Sequence, residues 1–163
     1  RRQRQMCIRD RICEETVQAA PAVCPAPAQD SPSLHGMRFL CAEDNEINAE
    51  ILQSLLEMRG ASCTICRDGV EVVEKFRTVA PGEYDAILMD VMMPVRDGQE
   101  ATRAIRAMDR PDAKSIPIFA MTANAFAEDR LKALQAGMNE HLSKPIDPDT
   151  LYRLLVKYLT ERS

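Results

Sequence analysis

No tryptophan occurs in the 163 residues, and phenylalanine and tyrosine together make up only 4%. Apolar side chains still reach 45%, enough for the core of one ordinary domain with some chain to spare. No apolar run approaches the roughly 18 residues that a spanning helix needs, so no membrane contact is expected. Positive charge is not in excess either: the net charge is −4. Residues 1–36 hold five Arg against four acidic residues, whereas residues 37–163 hold 16 basic against 21 acidic residues. So acidic a domain is poorly suited to a phosphate backbone, and no direct nucleic-acid partner is expected. A secretory signal is missing as well, and the six cysteines (Cys7, Cys13, Cys24, Cys41, Cys63, Cys66) are irregularly spaced. Reduced, buried thiols in a cytoplasmic setting are expected rather than a disulfide framework. Cys63 and Cys66 lie three apart in an expected strand, on opposite faces, and are not expected to share a metal. Glycine is scarce, with six in the chain, and CAEDNE after the first apolar run has none. That argues against the N–H-lined phosphate cradle of a nucleotide- or flavin-binding sheet.

What is present divides the chain in two. Residues 1–17 are polar and without period, and residues 18–33 (QAAPAVCPAPAQDSPS) are rich in Ala and Pro. A disordered N-terminal segment and stiffened linker is expected over residues 1–36, and one folded domain over residues 37–163. The first residue is Arg, so an upstream portion is expected. From Met37 the pattern alternates. RFLCA (38–42) reads as a strand, and Ile47, Ile51 and Leu55 mark a helix over 45–59 that Gly60 stops. A strand over 61–67 and a helix marked by Val70, Val73 and Phe76 follow. Strands over 84–89, 116–121 and 138–142 alternate with helices over 99–108, 125–136 and 148–159. Between them Asp109 and Asp112 sit beside Arg110 and Lys114 and read as a solvated turn. Five βα units of this kind predict an α/β fold with an open, doubly wound parallel sheet covered by helices on both faces. Ligands of such sheets sit outside the carboxyl ends of the strands.

Chemistry-bearing residues gather at those ends. Glu43 and Asp44 follow strand one, Asp90 ends strand three, Thr122 and Ala123 follow strand four, and Lys144 and Pro145 follow strand five. Three carboxylates brought together repel one another, at about 4 kcal/mol per pair at 4 Å and an effective dielectric near 20. A divalent cation removes that cost, and an all-oxygen set with open positions favours Mg²⁺. Lys144 and Thr122 then supply a charge and a neutral donor for a phosphate, and Asp90 a carboxylate nucleophile.

AEDNEINAEIL, ILMDVMMPVRDGQEATRAIR, PIFAMTANAFAEDR and AGMNEHLSKPID resemble the motifs of response-regulator receiver domains, across about residues 37–160. The extended RAMDRPDAKSIPIFAMTANAF stretch and the Ala/Pro linker look most like the C-terminal receivers of hybrid sensor histidine kinases. The resemblance implies a flavodoxin-like (βα)₅ sheet of strand order 2-1-3-4-5. It implies a phosphoacceptor of a two-component phosphorelay, taking a phosphoryl group from phosphohistidine onto Asp90. By position, Glu43, Asp44, Asp90 and the Met92 carbonyl hold Mg²⁺, while Thr122, the Ala123 N–H and Lys144 bind phosphoryl oxygens. Lys144–Pro145 is implied to be cis, and Pro94 and Gly98 match the loop after the phosphosite. Thr122 and the residue three before the lysine form the switch. That residue is His141 where the family often has Tyr or Phe, and Arg96 stands where it often has Met. The implied partner is a histidine kinase or a histidine phosphotransfer domain, in a cytoplasmic setting that includes the inner part of a membrane-anchored kinase. The sequence ends shortly after the last helix, so output through a partner is expected. Met92 and Asn124, which flank the site, imply slow loss of the phosphoryl group. Two other readings remain: a degenerate receiver that only binds partners, and an aspartate-nucleophile phosphatase. The phosphatase would need an acid where Met92 stands.

Overall fold

Short apolar runs separated by helix-capping residues build the domain. The structure, a computed structural model, describes residues 33–123 and 126–160. Most of the expected N-terminal segment, with Cys7, Cys13 and Cys24, lies outside those residues, as does Asn124. Chain order is β1 (Arg38–Ala42), α1 (Glu46–Glu57), β2 (Ser62–Cys66), α2 (Gly69–Thr78), β3 (Ala86–Asp90), α3 (Gly98–Arg106), β4 (Ile118–Thr122), α4 (Ala127–Ala136), β5 (Glu140–Ser143) and α5 (Pro148–Thr160). The five strands pair in parallel in the order β2-β1-β3-β4-β5, as the resemblance implied.

Every residue of β3 and β4 is buried, which is why both read as unbroken apolar runs. Phe39, Cys41, Leu88, Phe119 and Met121 face α1 and α5. Leu40, Ile87, Met89, Ile118 and Ala120 face the side of α2, α3 and α4. Packing reaches back beyond Met37: Leu34 is buried in the α1–α5 layer, and the Gly36 N–H donates to the Gly60 carbonyl. Cys63 packs on one face and Cys66 on the other. Burial pushes the Cys66 thiol up to about 12, so it stays protonated at neutral pH. No helix among the described residues is long and apolar enough to cross a membrane.

Helix starts are fixed by side chains that accept from the first-turn N–H groups. Asn45 accepts from Ile47 and Asn48, Asp68 from Val70 and Glu71, and Asp97 from Glu100. Asn45 and Asp68 sit within three residues of a strand end and Asp97 seven residues beyond one, so all three helices start near the sheet's carboxyl edge. The order in which strands are added to the sheet reverses between the parallel β1 and β3, and the loops after these strands diverge there.

The Ile47–Ile51 stripe, which marks α1 as a helix, is turned to solvent: these residues are 69% and 50% exposed, and Ala49, Leu52 and Leu56 are the buried face of α1. One expectation is corrected. The loop holding Asp112 is not a solvated turn. Arg110 and Asp112 are only 10% and 12% exposed and form a two-bonded ion pair. Arg110 also donates to the Phe76 and Val79 carbonyls and lies over the Phe76 ring, while Asp112 accepts from the Gly82 N–H. The orientation of α1 is tested by truncation. Leu52→Ala is expected to cost about 3 kcal/mol in urea unfolding, and Ile51→Ala no more than about 0.5 kcal/mol. Equal costs would mean the helix is rotated from the arrangement described.

Candidate functional site

Asp90 closes β3 at the carboxyl edge of the sheet, between the loops that follow β1, β4 and β5. Its Oδ1 accepts from the Met92 N–H at 3.0 Å, and its Oδ2 accepts from Lys144 Nζ at 2.6 Å. Lys144 is placed by the β4–β5 pairing, whose ladder runs on as its N–H donates to the Thr122 carbonyl at 2.8 Å. The Lys144–Pro145 bond is cis, as implied. Glu43 follows β1, and its N–H donates to the Cys66 carbonyl, which extends β1 along β2. Its side chain is 1% exposed, and Oε1 accepts from Asn48 Nδ2 at 3.0 Å. Oε2 lies 2.6 Å from Lys144 Nζ as a close charge contact, without an aligned hydrogen-bond donor of its own.

One ammonium therefore faces two buried carboxylates, with the exposed Asp44 beside them. Burial pushes the Asp90 carboxyl up, and the nearby Glu43 adds to the rise. The hydrogen bonds from Lys144 and the Met92 N–H pull it down, and the net result stays above the usual aspartate value. Burial works against the Lys144 charge, but its contacts with Asp90 and Glu43 outweigh that, and its value rises above that of a free lysine. Lys144 is thus the cation the site carries within the chain.

Carboxylate oxygens of Glu43, Asp44 and Asp90 all lie within 4.8 Å of one another. The donor set is oxygen only, and one buried oxygen, Glu43 Oε2, lacks an aligned donor. That fits a hard divalent cation that accepts one or two carboxylates and keeps open positions. Thr122 is buried at the end of β4, and Ala123 is exposed just beyond it. Met92 is the second residue of the loop after β3, with its side chain turned to solvent. The edge thus brings together Glu43, Asp44, Asp90, Thr122 and Lys144. His141 stands apart from the acidic cluster. It lies on β5 opposite Ala120, and its Nδ1 is 3.0 Å from Glu140 Oε1. Glu140 in turn lies 3.6 Å from Arg130. Asn48, which orients Glu43, escaped the sequence reading because it sits one turn inside α1, where polar residues are ordinary.

A doubly wound α/β domain with a cation-fitting acidic cleft at its carboxyl edge is the class of molecule these features define. The family model for the response regulator receiver domain matches residues 39–156, and the chain belongs to that family. It is 38% identical over 130 residues to hybrid signal transduction histidine kinase I of Dictyostelium discoideum, covering 76% of this chain and 8% of that protein. It is 37% identical over 140 residues to sensor protein GacS of Pseudomonas syringae, covering 85% of this chain and 15% of that protein. The chain thus matches one small part of each. Among solved structures, the receiver domain of sensor histidine kinase PA1611 of Pseudomonas aeruginosa superposes with TM-score 0.70 at 40% identity, over 77% of this chain and 98% of that one. That structure holds a magnesium ion in its active-site cleft. The receiver domain of Saccharomyces cerevisiae Ssk1, crystallised with the histidine phosphotransfer protein Ypd1, superposes with TM-score 0.69 at 28% identity, over 82% of this chain and 94% of that one.

The electrostatics give a pH-dependent prediction. The Asp90 value in the fold is raised, so its contribution is present below the unfolded value and is lost as pH rises through the folded value. Removing Lys144 removes a bond that holds this value down and leaves Glu43 buried without its cation. Lys144→Ala is expected to cost the metal-free protein about 3 kcal/mol at pH 7 and clearly less near pH 4, where Asp90, held above the usual aspartate value, takes up its proton. Denaturant melts at the two pH values measure this, and an equal loss at both would contradict it.

Proposed function

We propose that this domain accepts a phosphoryl group from a phosphohistidine onto Asp90, assisted by Mg²⁺, as one station of a phosphorelay. The observation that carries the reading is the convergence of Lys144 on both Asp90 and Glu43, at 2.6 Å each, from strands far apart in the chain. In this reading Glu43, Asp44, Asp90 and the Met92 carbonyl hold the cation. Bound Mg²⁺ supplies charge to the oxygens of the transferring group and removes the repulsion among the carboxylates. Asp90 Oδ attacks phosphorus as the bond to the imidazole nitrogen breaks, and the leaving imidazole keeps that electron pair. Thr122, the Ala123 N–H and Lys144 receive the phosphoryl oxygens. Lys144 is already charged and in place, so little reorganisation is needed. Thr122 and His141 form the switch, the latter through its contact with Glu140.

The partner is a histidine kinase or histidine phosphotransfer domain. The Ypd1 complex of a related receiver supports this, as does the exposed Ile47, Ile51 and Met58 stripe that runs along α1 from the mouth of the site. An apolar stripe of this kind suits packing against a partner helix. Neither alternative is favoured. A purely binding receiver has no use for the assembled lysine–carboxylate cluster, and a phosphatase would need an acid where Met92 stands.

Asp90→Asn keeps the shape of the side chain but removes the nucleophile. Incubated with Mg²⁺ and acetyl phosphate or a phosphorylated phosphotransfer domain, it is expected to take up no phosphoryl group. Intact-mass spectrometry should show the 80 Da gain on the parent alone. The same gain on the Asn variant would place the acceptor elsewhere.

A further inference from the structure

Between β3 and α3, residues 91–97 form a loop whose two ends touch. The Gly98 N–H donates to the Val91 carbonyl at 3.1 Å, and a Cβ on Gly98 would stand 2.1 Å from the Asp90 carbonyl oxygen. Met93 turns inward and is buried, which pins the middle of the loop. The apex is a tight turn in which the Arg96 N–H donates to the Pro94 carbonyl at 2.7 Å. Val95, between them, has φ 67°, a conformation that costs a β-branched residue energy. Its side chain is 84% exposed, so packing of that side chain offsets none of the cost. Such a conformation persists only where surrounding structure holds it.

The wall that meets the apex is the first residue of α2. A Cβ on Gly69 would lie 2.4 Å from the Arg96 carbonyl oxygen, 3.0 Å from its carbon and 3.1 Å from the Arg96 Cβ. Gly69 does not have the positive φ that would call for glycine, and a helix start favours almost any other residue. Glycine there serves space. The wall is firm, because Asp68 caps α2 with two 2.8 Å bonds and Val72, Val73 and Phe76 bury its inner face.

We infer that Gly69 is a positioning residue for the metal site: it seats the strained apex of the β3–α3 loop and so fixes the Met92 carbonyl. The inference rests on the phosphoacceptor reading above, in which that carbonyl is a Mg²⁺ ligand. A methyl group at position 69 displaces the Arg96 carbonyl. With Gly98 locked to the Val91 carbonyl, the loop turns about the buried Met93 as a pivot, and the Met92 carbonyl on the other side of that pivot shifts.

The test is Gly69→Ala in the full chain, with Mg²⁺ affinity read by calorimetry and by backbone amide shifts. The dissociation constant is expected to rise at least fivefold. Phosphorylation by acetyl phosphate should need correspondingly more Mg²⁺ yet return close to the parent rate at saturation. Gly82→Ala is the structural control. Gly82 has φ 81° with nothing within 4 Å of a Cβ, so that variant should melt lower with unchanged Mg²⁺ affinity. The Gly69→Ala/Val95→Gly double variant covers the case in which the single change does not fold. Its freed apex can give way, so it should fold and still bind Mg²⁺ more weakly than the parent. Parent-like affinity in a folded Gly69→Ala, or in the double variant, overturns the role of Gly69. A parent that binds no Mg²⁺ overturns the underlying reading, and this inference with it.

Discussion

The Lys144 ammonium lies 2.6 Å from both Asp90 Oδ2 and Glu43 Oε2, and the carboxyl edge of the sheet is organised around it. Two carboxylates at 1% and 6% side-chain exposure are costly without a counter-charge. A lysine brought from the far end of the domain supplies it. That requires β5 to be in register with β4, β4 with β3, and β3 with β1, because each strand delivers its last residue, or the one just past it, to the same edge. The local charges are unbalanced even so. Glu43, Asp44 and Asp90 outnumber the one ammonium, so the chain leaves room for a cation that it does not itself provide.

The rest of the fold serves that edge. Continuous burial of β3 and β4 makes the floor rigid. Side-chain caps at Asn45, Asp68 and Asp97 start the helices at fixed distances from the strand ends, and Asn48 turns Glu43 toward the lysine. The opposite end is tied by Arg110, which joins the carbonyls at the end of α2 to Asp112 in the α3–β4 loop.

Much of this was legible in the sequence because it is written in local pattern. Unbroken apolar runs at 86–90 and 118–122 announce strands buried on both faces, and acids, threonine and lysine placed just past strand ends announce a shared edge. Long-range pairing left weaker marks. Ile47, Ile51 and Leu55 have true helical spacing, but α1 also carries Ala49, Leu52 and Leu56, and periodicity alone cannot say which stripe faces the sheet. Asp112 looked solvated because its partners include the Gly82 N–H, 30 residues away. Gly69 carries no local mark of its role, since the carbonyl that needs its space belongs to Arg96 in another loop.

The central claim is that a carboxylate cluster, only partly neutralised by Lys144, is completed by a divalent cation. It is tested most directly by thermal unfolding at rising Mg²⁺ with ionic strength matched by NaCl. A ligand that binds only the folded state raises stability by about 2.7 kcal/mol at a hundred times its dissociation constant. The parent should therefore melt several degrees higher at saturating Mg²⁺, and a Glu43→Gln/Asp44→Asn variant should show little rise. A melting temperature indifferent to Mg²⁺ in the parent, or an equal rise in both proteins, would contradict the account.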